Sequence, residues 1–140
     1  MPALKLHSVH RAENERSEAN ARDLAQVLEQ SGEAVIVKDL NAVVTYWNRE
    51  AALLYGFSAK EAIGQPLRNL HAAELSDAAY ERLLERVRAG RPTSSTTERR
   101  KKTGETIRVD LKTTPLLDER GALVGEIGRA SCRERVCELV

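Results

Sequence analysis

The chain has 140 residues, 41% hydrophobic and 31% charged, with 22 basic side chains against 21 acidic ones. That length supports one core of ordinary size and leaves no room for a second, and the balanced charge creates no global field to recruit nucleic acid or anionic lipid. Apolar runs such as AVIV and AALL are far too short to cross a bilayer, and the first residues lack the apolar segment of a signal peptide; the expectation is a cytoplasmic protein with no membrane contact.

Residues 1–11 carry no usable pattern and are expected to be disordered. Residues 12–31 are rich in helix formers, with Ala21, Leu24, Ala25 and Leu28 forming a narrow apolar stripe and Ser31-Gly32 providing a stop. Such a stripe fits a surface helix or a connector that meets its twin in a homodimer through Ala21, Leu24 and Leu28.

The period then changes. Ala34 to Val37 is a buried-type run, Asp39-Leu40-Asn41 offers turn chemistry, and Val43, Thr45 and Trp47 alternate, which predicts a hairpin. Asn48 has the side chain to cap a helix that Gly56 ends. Ser58 and Glu61 stand at capping-box spacing, and Gly64 with Pro66 forbids continuation. After the loop RNLHAAEL, Ser76 caps a longer helix whose apolar residues Tyr80, Leu83, Leu84 and Val87 share one face; Gly90 and Pro92 end it. Polar alternation runs from Thr93 to Arg100, followed by a turn at KKTGE. Next comes a strand with Ile107, Val109, Leu111 and Thr113 on one side, then a turn at Asp118 to Gly121 and the start of a last strand. Two strands, short helices and a three-stranded meander make an α+β domain, an antiparallel sheet with its helices on one face.

The segment EAVIVKDLNAVVTYWNREAALLYGFSAKEAIGQPLRNL, followed by a connector helix and the long hairpin KTGETIRVDLKTTPLLDERGALVG, resembles the PAS sensor family over residues 32–125. The resemblance implies a five-stranded antiparallel sheet of order 2-1-5-4-3 with a pocket between sheet and helices. The upstream helix is similar to the connector preceding such domains in bacterial sensor kinases and diguanylate cyclases. It thus implies a regulatory input domain that is not itself an enzyme, any kinase or cyclase domain lying elsewhere in the full-length protein. Residues 126–136, EIGRASCRERV, resemble the translation of a sequencing-library adapter. Residues 126–140 are therefore expected to be an artefactual tail that partly replaces the last strand; Ile127 is expected to fill an inward position, and Arg129 to resist burial. The two cysteines, Cys132 and Cys137, lie within that tail.

Flavin-adduct photosensors similar to this family carry a cysteine in a segment that falls on Gly64 to Leu70. Pro66 and Leu67 stand at its Asn and Cys positions, so adduct chemistry is excluded and noncovalent flavin stays open. Oxygen-sensing relatives place a haem-binding histidine where this chain has Asp77. His71 is the nearby alternative, with an exposed or hydrogen-bonded histidine as its plainer reading. His7 and His10 lack phosphoacceptor surroundings, and no nucleophile with an orienting base, metal-ligand pair or phosphate-binding glycine loop is evident. The run Arg99-Arg100-Lys101-Lys102 reads as a solvated hairpin tip rather than a nucleic-acid contact. The pocket candidates are the inward apolar positions Leu83, Leu84, Val87, Ile107, Val109 and Leu111, which equally suit plain core packing. No cofactor is the leading expectation. The rival readings are a sensor of haem or noncovalent flavin and a ligand-free dimerisation module.

Overall fold

The computed structural model describes residues 32–72 and 75–133. The expected disordered terminus, the connector helix with its stripe at Ala21, Leu24 and Leu28, and residues 134–140 lie outside the described residues.

Strand β1 (Ala34–Asp39) turns back into β2 (Val44–Trp47) through a loop that Asp39 organises. The Asp39 carboxylate accepts from the backbone N–H groups of Asn41 at 2.9 Å and Val43 at 3.0 Å, an Asx-type turn. Pairing then slips: Val37 faces Tyr46 but Lys38 faces Val44, leaving Thr45 as the extra residue of a bulge. The alternation read at Val43, Thr45 and Trp47 is thereby corrected: Val44 and Trp47 are buried and Thr45 is exposed, because one unpaired residue reverses the side to which everything beyond it points.

Asn48 joins that hairpin to the helices. Its Oδ1 accepts from the N–H of Ala51 at 2.8 Å, capping α1 (Arg49–Tyr55), and from the N–H of Val35 at 2.9 Å. Its Nδ2 donates to the Glu33 carbonyl at 3.0 Å. One buried amide thus satisfies a helix start and a strand start together. Gly56, at φ 85°, ends α1, and the Ser58–Glu61 capping box, with both bonds at 3.1 Å, opens α2 (Ala59–Ala62). A 3₁₀ turn (Leu67–Asn69) leads to α3 (Asp77–Ala89), capped by Ser76 and closed by Gly90, which buries Tyr80, Leu83 and Val87.

The meander β3 (Thr93–Arg100), β4 (Thr106–Leu117) and β5 (Leu123–Cys132) completes one five-stranded antiparallel sheet of order β2-β1-β5-β4-β3. Strand β5 is central, and it does not stop after Gly125: residues 126–130 pair one for one with β1, and residues 126–132 with β4. Residues 126–132 thus continue the last strand, since a ladder is made by backbone groups and tolerates side chains that find a partner or a small space. Glu126 finds Lys38, Gly128 and Ala130 are small, and Arg129 stays partly exposed, 3.8 Å from the Glu33 carboxylate. Ile127 is also corrected. It is buried, but its partner Val37 puts it on the sheet face away from the helices, in a small cluster with Val35. Gly125 leaves no room for a side chain beside β1: a Cβ there would lie 2.2 Å from the Lys38 carbonyl oxygen.

Candidate functional site

The helix-facing side of the sheet has two characters. Toward β2 it is aromatic and dry: Trp47 donates its indole N–H to the Phe57 carbonyl at 2.8 Å, and its ring lies 5.7 Å from those of Tyr55 and His71. Toward β3 it is polar. The registers Thr93–Thr113, Ser95–Leu111, Thr97–Val109 and Arg99–Ile107 show that β3 contributes Thr93, Ser95, Thr97 and Arg99 to the same face as the apolar stripe of β4.

Between these surfaces and α3 lies a cavity of 50 Å³. Leu83 and Val87 of α3, Ile36 of β1 and Leu67 supply apolar walls, while Lys38, Glu126, Arg99 and His71 supply polar ones. Leu111 lines it too. Of the six pocket candidates from sequence, Leu83, Val87 and Leu111 border this space; Leu84 packs half-buried against the core, and Ile107 and Val109 are core residues behind it.

The polar wall is what the sequence reading missed. Lys38 and Glu126 form a buried ion pair at 2.9 Å. Burial outweighs that partner and holds the Lys38 ammonium below its ordinary pKa, with Arg99 and Arg86 adding repulsion. Arg99 was expected at a solvated tip, yet it is 8% exposed. Its guanidinium donates to the Thr97 hydroxyl at 2.9 Å and the Glu98 carbonyl at 2.8 Å. Lys101 is buried as well, so the basic run is split, with only Arg100 and Lys102 outward. The hairpin tip is drawn in by two backbone bonds: Arg100 N–H to the His71 carbonyl at 2.9 Å, and Lys102 N–H to the Tyr55 carbonyl at 2.8 Å.

His71 likewise departs from its plainer reading. It is buried, its ring stacks on Tyr55 at 4.4 Å between centroids and 21° between planes, and its Nδ1 has no hydrogen-bond partner. Burial first, then Arg99 and Lys38, pushes its pKa well below the ordinary value, so the imidazole is neutral. The phenol of Tyr55 is driven upward by burial. Asp77, at the position where haem-binding relatives carry histidine, points to Arg68 on the surface. At 50 Å³ the cavity is a small fraction of the ~300–1,000 Å³ that larger ligands fill, so a flavin or a haem fits only if α3 moves off the sheet. Among the described residues, no group of three or more His, Cys, Asp or Glu side chains is placed to hold a metal ion, and no helix is long and apolar enough to cross a membrane.

A five-stranded antiparallel sheet of order β2-β1-β5-β4-β3, with short helices over one face and a small cavity between them, defines an α+β module of the sensory-domain class. The family model described as the PAS fold matches residues 22–133, and the chain belongs to that family. Its fold is similar to the PAS domain of a protein from Colwellia psychrerythraea, with 24% identity, a TM-score of 0.65, and coverage of 80% of this chain and 95% of that one. It is also similar to a light-oxygen-voltage domain studied with a flavin analogue, at 20% identity and a TM-score of 0.67, covering 81% and 87% of the two chains. A third likeness is VqmA bound to DPO, at 20% identity and a TM-score of 0.62, covering 79% of this chain and 56% of that one. A search among curated proteins gives no match.

Proposed function

We propose that this chain is the input domain of a bacterial signal-transduction protein of the sensor kinase or diguanylate cyclase type, perceiving a small molecule in the cavity under α3 and relaying the event through a homodimer. The observation that carries the reading is the neutral, buried His71 whose Nδ1 lacks a partner beside a polar-lined cavity. An orphaned polar atom costs about 1–3 kcal/mol, a cost that a bound ligand is able to relieve. The relay follows from physics common to bistable packings: a ligand that contacts both α3 and the sheet favours whichever helix–sheet arrangement it binds better. Dimerisation through Ala21, Leu24 and Leu28 supplies the second copy.

The test is a thermal-shift screen of small metabolites against the whole chain, repeated on a Gly128→Val variant. The glycine lines the cavity and a Cβ on it would meet only ordinary contacts, at 3.6 Å from Lys38 Nζ and 3.7 Å from Leu111, so a side chain there enters the space; circular dichroism of the variant checks that it folds. Ligands whose effect survives that substitution do not use the cavity and count against the reading. For the relay, light scattering of the chain should give a dimer and that of Leu24→Glu/Leu28→Glu a monomer.

A second reading, a sensor of haem or noncovalent flavin, is kept by the light-oxygen-voltage likeness. It predicts a visible chromophore near one equivalent in protein from cofactor-replete cells. The small cavity favours a colourless protein.

A further inference from the structure

Charges at the cavity do not balance. Lys38 and Glu126 neutralise one another at 2.9 Å, which leaves the guanidinium of Arg99. Its hydrogen bonds go to neutral acceptors, a hydroxyl and a carbonyl, and among the described residues no carboxylate pairs with it. Arg86 of α3 borders the same cavity but is itself exposed to solvent. A guanidinium keeps its proton, so a buried one without a counter-ion is destabilising unless an anion comes to it.

The neighbouring groups suit one kind of anion. Thr97 and Ser95 bring hydroxyls, and neutral His71 brings the unpartnered Nδ1, which donates when it carries the ring proton. Ile36, Leu67, Leu83 and Val87 form an apolar wall opposite, with room for a handful of non-hydrogen atoms in 50 Å³. Access is built in as well. An open groove along α3 and β3, carrying Arg82 and Glu85 at its rim, shares Arg86, Thr97 and Arg99 with the cavity, so the charged head of a ligand reaches Arg99 from solvent.

We infer that the cavity is a receptor site for a short-chain carboxylate, its carboxylate held by Arg99 with help from His71 and Thr97, its alkyl end against Leu83 and Val87. This rests on the sensory reading above and narrows it to a ligand class. Titration of the whole chain with sodium propionate, propionamide, sodium chloride and sodium phosphate, read by calorimetry and by unfolding midpoint, tests it. Saturable binding of propionate is expected, with at least about tenfold weaker binding of propionamide, because a hydrogen bond to a charged group is worth more than one to a neutral group. Chloride and phosphate should not substitute. Arg99→Gln should weaken propionate about tenfold or more, Arg99→Lys should fall between as charge without the planar fork, and Gly128→Val should abolish binding. Should Arg99→Gln not fold, Arg99→Lys and Thr97→Val carry the comparison. Equal binding of propionamide that Gly128→Val still abolishes overturns the anion assignment and leaves a cavity ligand standing. An effect shared by chloride or phosphate, or absent with propionate, overturns the assignment; the metabolite screen then decides the sensory reading by itself.

Discussion

The two halves of the compartment are held by different physics. Around Trp47, Tyr55 and Tyr80 the helices meet the sheet through large apolar surfaces and aromatic contacts, whose energy follows area removed from water. Around Arg99, Lys38 and Glu126 the same sheet is lined by charge and hydroxyl, whose energy depends on whether each group has a partner. The first half tolerates imprecision; the second is unforgiving, because an unpaired buried charge is costly. A small cavity sits in the polar half, beside the unpartnered Nδ1 of His71.

The most severe loss is expected at the seam where β5 runs antiparallel beside β1. Gly125→Val should cost about 4 kcal/mol or more, since its Cβ overlaps the Lys38 carbonyl and backbone has to move; urea denaturation should find the variant largely unfolded, and a folded variant with a normal midpoint would contradict the close approach. Next, Lys38→Met strands the Glu126 carboxylate and should destabilise by about 3–5 kcal/mol, whereas the double change Lys38→Met/Glu126→Leu should recover most of that loss. Failure of the double variant to recover would mean that the pair does more than neutralise itself. Asn48→Ala removes a helix cap and orphans the Val35 N–H, with an expected loss of about 2–4 kcal/mol, larger than a cap alone. Hydrogen exchange should show β1 and the start of α1 opening together.

The smallest effect depends on pH. Burial holds the His71 pKa well below 6.5, so below about that pH the unfolded chain binds a proton that the folded chain declines. Stability therefore falls as pH drops from 6.5 toward the folded pKa, by at most about 1.4 kcal/mol per unit from this group. His71→Phe keeps a ring to stack on Tyr55 and should flatten that part of the acid slope. An unchanged slope would place the proton uptake elsewhere.

Much of the scaffold was legible because its signals are local. Asn48, Ser58 with Glu61, and Ser76 cap as their spacing predicts, and Gly56 and Gly90 stop helices with positive φ. The alternation of Ile107, Val109 and Leu111 put the right side of β4 inward. The polar wall was not legible. Strand β3 carries no apolar residue to show which side is buried, and its inward set was assigned only by register against Val109 and Ile107. Arg99 is indistinguishable in sequence from its neighbour Arg100; docking of the hairpin tip on His71 and Tyr55 separates them.

By itself the sequence determined where helices begin and end, which strands are amphipathic and, by resemblance, the strand order, because caps, stops and periods act within a few residues along the chain. Only the tertiary structure decided that Lys38 meets Glu126, that Thr45 bulges, and that Arg99 faces His71 across a cavity. Those are meetings between distant segments, and whether a charge is exposed or buried is settled by what packs against it.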